Sequence, residues 1–262
     1  MSKYAVNGKE PVAAWIPSRD TAGNGTTALT DLVGSNNGTL TNMDAATDWV
    51  ADTDAGGVRA LDLDGSNDHI VVPNSAALQF GSGSGDSAFS ISFWAKWGTI
   101  NGADFIGKND ASATVREWRI ILNGAANAFV FALYSTNAVN RIEASCATIA
   151  TGQWVHVCCT YSGNRNQSGL NIYFDGVLQT VTKATFGDYA SSGIVNAANP
   201  IWIGRVINIY TALRTDDIRV FRSELALADV SYLYAGGFGR GIRAGGGIIP
   251  ILRQHYAAMG AR

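Results

Sequence analysis

Phe89-Ser90-Ile91-Ser92-Phe93-Trp94-Ala95-Lys96-Trp97 alternates without a break. Phe89, Ile91, Phe93, Ala95 and Trp97 share one side, and Ser90, Ser92, Trp94 and Lys96 share the other. A period of two over nine residues marks a β-strand with one face in an apolar core. The segments around it repeat the pattern. Val12–Ile16, Ala60–Asp64, His69–Pro73, Asp104–Gly107, Glu117–Leu122, Ala128–Tyr134, Arg141–Ala144, Trp154–Tyr161 and Leu170–Phe174 are short apolar or alternating runs bounded by Gly, Asn, Asp and Ser. Asp175-Gly176 predicts a tight hairpin turn into Val177–Val181. Pro200–Gly204 and Asp217–Phe221 are the last predicted strands. Such spacing predicts an antiparallel sandwich.

Composition agrees. Of 262 residues, 47% are hydrophobic and 15% charged, with 30 Gly. Only Glu10, Glu117, Glu143 and Glu224 are glutamates, and strong helix formers other than Ala and Leu are scarce. One helix is predicted near Ala226–Tyr234, where Leu227, Val230, Leu233 and Tyr234 share a face. The region up to Asn42 reads as loop after the first strand. No stretch is long and apolar enough for a membrane span. The first ten residues show no apolar signal core, which predicts synthesis in the host cytoplasm. Cys146, Cys158 and Cys159 are expected to be free thiols used as small apolar residues.

Net charge is −2, which argues against nucleic-acid binding. Its distribution is uneven. No acid follows Asp229, so Arg240, Arg243, Arg253 and Arg262 give the tail +4. Fifteen basic residues against 21 acidic ones leave the body at −6. Seven glycines between 236 and 247 precede an apolar tip. Ile248, Ile249, Ile251, Leu252, Arg253 and Tyr256 are therefore the expected docking residues, for a neighbouring copy or another protein. A tail folded onto its own body is the alternative. The expected parse is residues 1–237 as one sandwich and 238–262 as linker and docking tail.

Four segments in order resemble the LamG-like jelly rolls of the concanavalin A-like lectin/glucanase superfamily. They are Ala60–Ile70, Phe89–Trp97, the stretch Gly152–Tyr161 with Asn171–Gly176, and Ile203-Gly204 with Asp216–Phe221 and Leu225–Tyr234. The resemblance spans about residues 12–237. It implies a two-sheet antiparallel jelly roll and places Trp154 and Trp202 in packing positions.

Glucanases of this superfamily use paired carboxylates, about 5–5.5 Å apart for retention. No Glu-x-Asp-x-x-Glu occurs here, and Asp62 with Asp64 is the only nearby pair considered. No catalytic residue is expected. Lys108-Asn109-Asp110 resembles, in reversed order, the first calcium-binding element of pentraxin-like relatives. The second element is missing, since Arg205-Val206-Ile207-Asn208 follows Ile203-Gly204. No metal ligand set and no cofactor are therefore expected, with calcium the one cation to look for. His156 is expected to be structural. Trp94, on the Ser/Lys face of its strand, and Trp118 are the surface candidates for stacking on a glycan.

The fold resemblance and the tail together suggest a non-catalytic bacteriophage virion component. It would be a capsid-decoration or tail protein that projects a lectin-like sandwich and forms homo-oligomers. Expected partners are virion proteins or further copies, and surface glycans. The alternative is a carbohydrate-binding lectin, with or without calcium, and behind that a glycoside hydrolase.

Overall fold

The computed structural model describes residues 2–52, 58–82, 85–98, 102, 104–112, 114–124, 126–135, 139–147 and 151–236. The tail residues Ile248, Ile249, Ile251, Leu252, Arg253 and Tyr256 lie outside the described residues.

In chain order the first strands are β1 (Pro11–Trp15), β2 (Ala28–Leu29), β3 (Gly38–Thr41), β4 (Trp49–Asp52), β5 (Val58–Asp64), β6 (His69–Val72) and β7 (Phe89–Trp97). The middle strands are β8 (Asp104–Asn109), β9 (Arg116–Asn123), β10 (Ala128–Tyr134), β11 (Arg141–Ala147), β12 (Val155–Tyr161), β13 (Leu170–Phe174), β14 (Val177–Leu178) and β15 (Thr182–Phe186). After the short helix α1 (Tyr189–Ser192) come β16 (Ile201–Ile203), β17 (Arg205–Val206), β18 (Ile209–Tyr210), β19 (Ala212–Phe221) and helix α2 (Leu227–Gly236).

They form a jelly-roll sandwich of two antiparallel sheets. The first runs β14-β13-β12-β7-β19-β5-β4, with β1 also paired to β19; the second runs β15-β11-β10-β9-β8-β16-β6-β3-β2. The alternation of β7 sets the core, because Phe89, Ile91, Phe93, Ala95 and Trp97 all pack between the sheets. They meet Phe105 of β8, Trp118 and Ile120 of β9, and Phe129 and Phe131 of β10. Asp175 and Gly176 both have positive φ, as a two-residue hairpin turn demands.

The outer face of the first sheet is covered. Val230 and Leu233 of α2 pack on Cys158, Tyr173 and Phe221, with Val6 from the N-terminal segment. Trp94 lies beneath the same helix, and its ring stacks on Tyr234 at 5.9 Å.

Several expectations need correction. Trp94 and Trp118 are not surface platforms, being 3% and 0% exposed. Trp118 points inward with Ile120 and Leu122, and α2 roofs over Trp94 although its strand face is otherwise polar. Trp154 is buried, but beside Trp94 and Ala60 on the outer face of the first sheet, away from the inter-sheet core. Trp202 points outward and is only half-buried. The stretch to Asn42 contains β2 and β3, and β19 begins five residues earlier than expected. The predicted strand through Val181 breaks after Leu178, where the chain crosses to the second sheet as β15.

Candidate binding site

Trp202 owes its position to register. Its neighbours Ile201 and Ile203 are buried, so the residue between them faces out, opposite Val71 of β6 and Gly107 of β8. Gly204 follows with φ +80°, packed so closely on Leu63 that a Cβ would collide with it. The chain then forms the hairpin β17–β18, in which Val206 pairs with Ile209 around the two-residue turn Ile207-Asn208. The N–H of Gly204 donates to Phe105 O at 2.8 Å, and Thr211 Oγ1 donates to Asp104 O at 3.2 Å. Both ends of the hairpin are thereby fastened to β8.

The turn is strained. Ile207 has φ +55° and is 41% exposed. Glycine is the usual residue at a positive-φ first turn position, and a β-branched side chain there costs on the order of 1–2 kcal/mol. The conformation aims Ile207 O at Arg205, whose Nε–H donates to it at 2.6 Å. Strain of this kind concentrates at functional sites.

Arg205 is held from three further sides. Its guanidinium carbon lies 4.4 Å from the Trp202 ring centre and 5.8 Å from that of Tyr210. His69 tilts against both rings, at 5.6 and 5.8 Å. Its Nδ1 is 2.9 Å from Asn67 O and therefore carries the proton, which leaves Nε2 to accept from Arg205 Nη1 at 3.4 Å. Burial lowers the His69 pKa against the opposing Asn67 carbonyl, and Arg205 adds to the lowering. A neutral imidazole thus fits its place beside a guanidinium. Trp202 is fixed by its own N–H, which donates to Asn109 O at 2.9 Å. The result is a cradle of half-buried Trp202, Tyr210 and Arg205 backed by the buried His69, with exposed Ile207 and Ile209 on its rim.

Beside it, the outer face of β8 and β9 is closed by buried ion pairs. Arg119 Nη2 and Nε grip Asp104 at 2.7 to 3.0 Å, and Lys108 Nζ meets Glu117 at 2.6 Å. Burial pushes Asp104 up to about 6, the Arg119 charge opposing it only in part. Gly107 makes room for this pair, since a Cβ there would strike the Asp104 carboxylate.

The family model described as the concanavalin A-like lectin/glucanase superfamily, laminin G type 3, matches residues 64–231. The chain belongs to that family. No curated protein matches it in sequence. Solved structures with the same fold include the binding domain of paraclostridial mosquitocidal protein 1, at TM-score 0.61 and 18% identity, over 86% of this chain and 52% of that one. The receptor-binding domain of botulinum neurotoxin mosaic serotype C/D gives 0.60 and 18%, over 88% and 52%. The binding domain of botulinum neurotoxin serotype D gives 0.59 and 19%, over 86% and 50%. The chain spans about half the length of these structures. At such identity the likeness is one of fold.

As this laminin G-type domain has glucanases in its superfamily, its carboxylates deserve the geometric test. Asp62 and Asp64 line a cleft of about 250 Å³ with Lys96, Trp97 and Arg214. Asp62 is ion-paired to Arg214, which also binds the buried Asp52. The N–H groups of Ser66, then Asn67, hold the Asp64 carboxyl below its ordinary range. Asp64 is thus a turn cap, and the lowering of its pKa runs opposite to the raised value that the acid of a glycosidase needs.

A buried Ser92–His156 contact of 2.9 Å is structural as well. Burial, with Arg219 nearby, pushes His156 down to about 3. Among the described residues its Nδ1 has no hydrogen-bond partner, so none of them supplies the third group that orients the ring in a triad. In Lys108-Asn109-Asp110 the lysine pairs with Glu117, and Asp110 accepts from Ser112, Thr114 and Val115 within its own turn. Among the described residues no three His, Cys, Asp or Glu side chains converge as metal ligands.

Trp94 and Trp118, the tryptophans expected at the surface, are thus buried, and Trp202 is the one indole that the fold leaves half-exposed. The signal that could have found the cradle is Trp202-x-x-Arg205 followed by Tyr210, three aromatic or cationic residues around a non-glycine turn.

Proposed function

We propose that the protein is a non-catalytic adhesion module that recognises saccharides through Trp202, Tyr210, His69 and Arg205. The observation that carries this reading is the cradle itself. It is a half-exposed aromatic surface with an oriented hydrogen-bond donor, on the sheet face opposite the one that α2 covers. Saccharide sites commonly combine an apolar ring surface with a few oriented polar groups. Fold neighbours that are themselves a toxin binding domain and a toxin receptor-binding domain are consistent with a binding role. Binding of the full chain to an array of immobilised glycans tests it. Specific binding that Trp202→Ala and Tyr210→Ala each weaken at least about tenfold is expected. Binding unchanged in both variants would remove the cradle from the account.

A second reading concerns where the module is carried, and it rests on the tail sequence. A +4, glycine-linked apolar tail behind a −6 body suits docking on a virion as an accessory capsid or tail protein. Light scattering of the full chain and of a form lacking residues 239–262 examines the self-assembly part. A tail-dependent oligomer is expected, and identical monomers would count against it.

A further inference from the structure

We infer that the cradle is an oxyanion receptor, so that the saccharides it selects carry a carboxylate or sulfate group. This deepens the saccharide reading and rests on it for the ligand class. Three observations carry it.

The first is that Arg205 is ordered without an acid. Its contacts are the Trp202 and Tyr210 rings, Ile207 O and His69 Nε2. Among the described residues none of its polar partners is a carboxylate. Four other arginines of the sandwich are paired to acids: Arg119 binds Asp104, Arg141 binds Glu143, Arg214 binds Asp52 and Asp62, and Arg219 binds Asp217. Arg222 also meets carbonyl oxygens, Ala76 O and Gln79 O, but these take up its Nη2, the group that Arg205 keeps open.

The second is that the guanidinium keeps free donors. Nε–H is spent on Ile207 and one Nη1 hydrogen on His69, whereas among the described residues no acceptor meets Nη2. Adjacent N–H bonds of one guanidinium edge match the two oxygens of a carboxylate or sulfate. The cost of immobilising a long side chain has been met before the ligand arrives, which is the basis of preorganised affinity.

The third is that the guanidinium lies over the Trp202 ring at 4.4 Å. A neutral pyranose would have to compete with Arg205 for that face. A ligand bearing an anion gains from the guanidinium instead. The backbone strain at Ile207 has a role in the same arrangement, since the turn that carries it presents the carbonyl that fixes Nε.

The test uses the full chain, ¹⁵N-labelled, with sodium sulfate as the first probe. The Arg205 Nε–H and Trp202 Nε1–H resonances should move saturably. The Trp202 Nε1–H shift should vanish in Arg205→Gln and be reduced in Arg205→Lys, which keeps the charge but loses the planar edge. Unchanged resonances from the β7 and β9 core verify that the variants are folded. Oligosaccharides of galacturonate and of galactose, equal in length, are then compared. The acidic series should bind at least about tenfold more tightly at low salt, an advantage that shrinks as salt screens the charge. Sulfate shifts that scale with ionic strength without saturation, or that persist in Arg205→Gln, would overturn the anion site. Equal binding of the two series would overturn it too, yet leave the saccharide reading standing. Saturable sulfate binding at Arg205 with no affinity for either oligosaccharide would do the reverse, retaining the oxyanion receptor and removing the saccharide.

Discussion

Asp216 offers a quantitative check on the packing of β19. It is fully buried, opposite Trp94 of β7, at the bulge between Asp216 and Arg219. The Ser18 N–H donates to its Oδ1 at 3.0 Å, while Oδ2 has no hydrogen-bond partner among the described residues. Burial, and then the charge of Asp217, push its pKa up from 3.8 to about 7. Because the folded-state pKa is raised, folding favours the protonated acid. Its stabilising contribution is complete below about pH 4 and is lost as pH rises through about 7. A shift of roughly three units corresponds to about 4 kcal/mol across that window. This is a large share of the ~5–15 kcal/mol that holds a domain together. Asp216→Asn keeps the shape and removes the titration. Urea unfolding between about pH 4 and pH 8 should therefore show the variant within about 1 kcal/mol of the native chain at the acid end. At the alkaline end it should be more stable by about 2–4 kcal/mol. The difference curve isolates Asp216 from other titrating groups, Asp104 included. Parallel stability profiles for the two proteins would refute the reasoning.

Other consequences are similarly direct. Trp118→Ala should cost about 3–5 kcal/mol in urea unfolding, because a fully enclosed ring leaves a cavity, whereas Trp202→Ala on the outer face should cost no more than about 2. Arg119→Ala would strand the Asp104 carboxylate and should destabilise by about 3–5 kcal/mol near neutral pH. That loss should shrink toward about pH 5, where Asp104 takes up a proton instead. Ile207→Gly relieves the positive-φ turn at a small entropic cost, so calorimetry should show a net gain of about 0.5–1 kcal/mol. A loss of stability there would mean that Ile207 is held by packing rather than strained.

Strands of five or more residues with clean alternation were legible in the sequence, because one buried face leaves a period-two trace. Phe89–Trp97, Ala128–Tyr134 and Leu170–Phe174 are observed with the bounds read from the sequence. Two-residue strands carry no period, so β2, β17 and β18 left no trace. Alternation also cannot say which face of a strand meets which layer. Ile201-Trp202-Ile203 is apolar throughout, and only its register with β6 and β8 decides that the indole faces outward. Conversely, Ser90, Ser92 and Lys96 made Trp94 look exposed, but α2 returns from more than a hundred residues away to cover it. The cradle joins His69 of β6 to Arg205 and Tyr210 of the hairpin, an adjacency of 136 residues in the case of His69 and Arg205. Ile207-Asn208 is not a dipeptide that announces a turn, so nothing in the local sequence drew attention to it.

The two faces of the sandwich differ in a way that selects the binding side. On the first sheet, α2 and the N-terminal segment seal the outer surface with apolar contacts around Cys158, Phe221 and Trp94. That covering leaves it little free surface for a ligand. On the second sheet, the outer face joins an apolar patch of Val130, Ala132 and Tyr134 to buried charges neutralised in pairs, Asp104 with Arg119 and Lys108 with Glu117. These pairs are enclosed and already satisfied, so they confer rigidity more than affinity. Arg205 stands at their margin on a strained turn, with its charge ordered but unneutralised among the described residues. A chain folding for stability alone would gain by placing glycine at 207 and an acid within reach of 205. Among the described residues it has neither, which is the feature that the proposed anion site on this face accounts for.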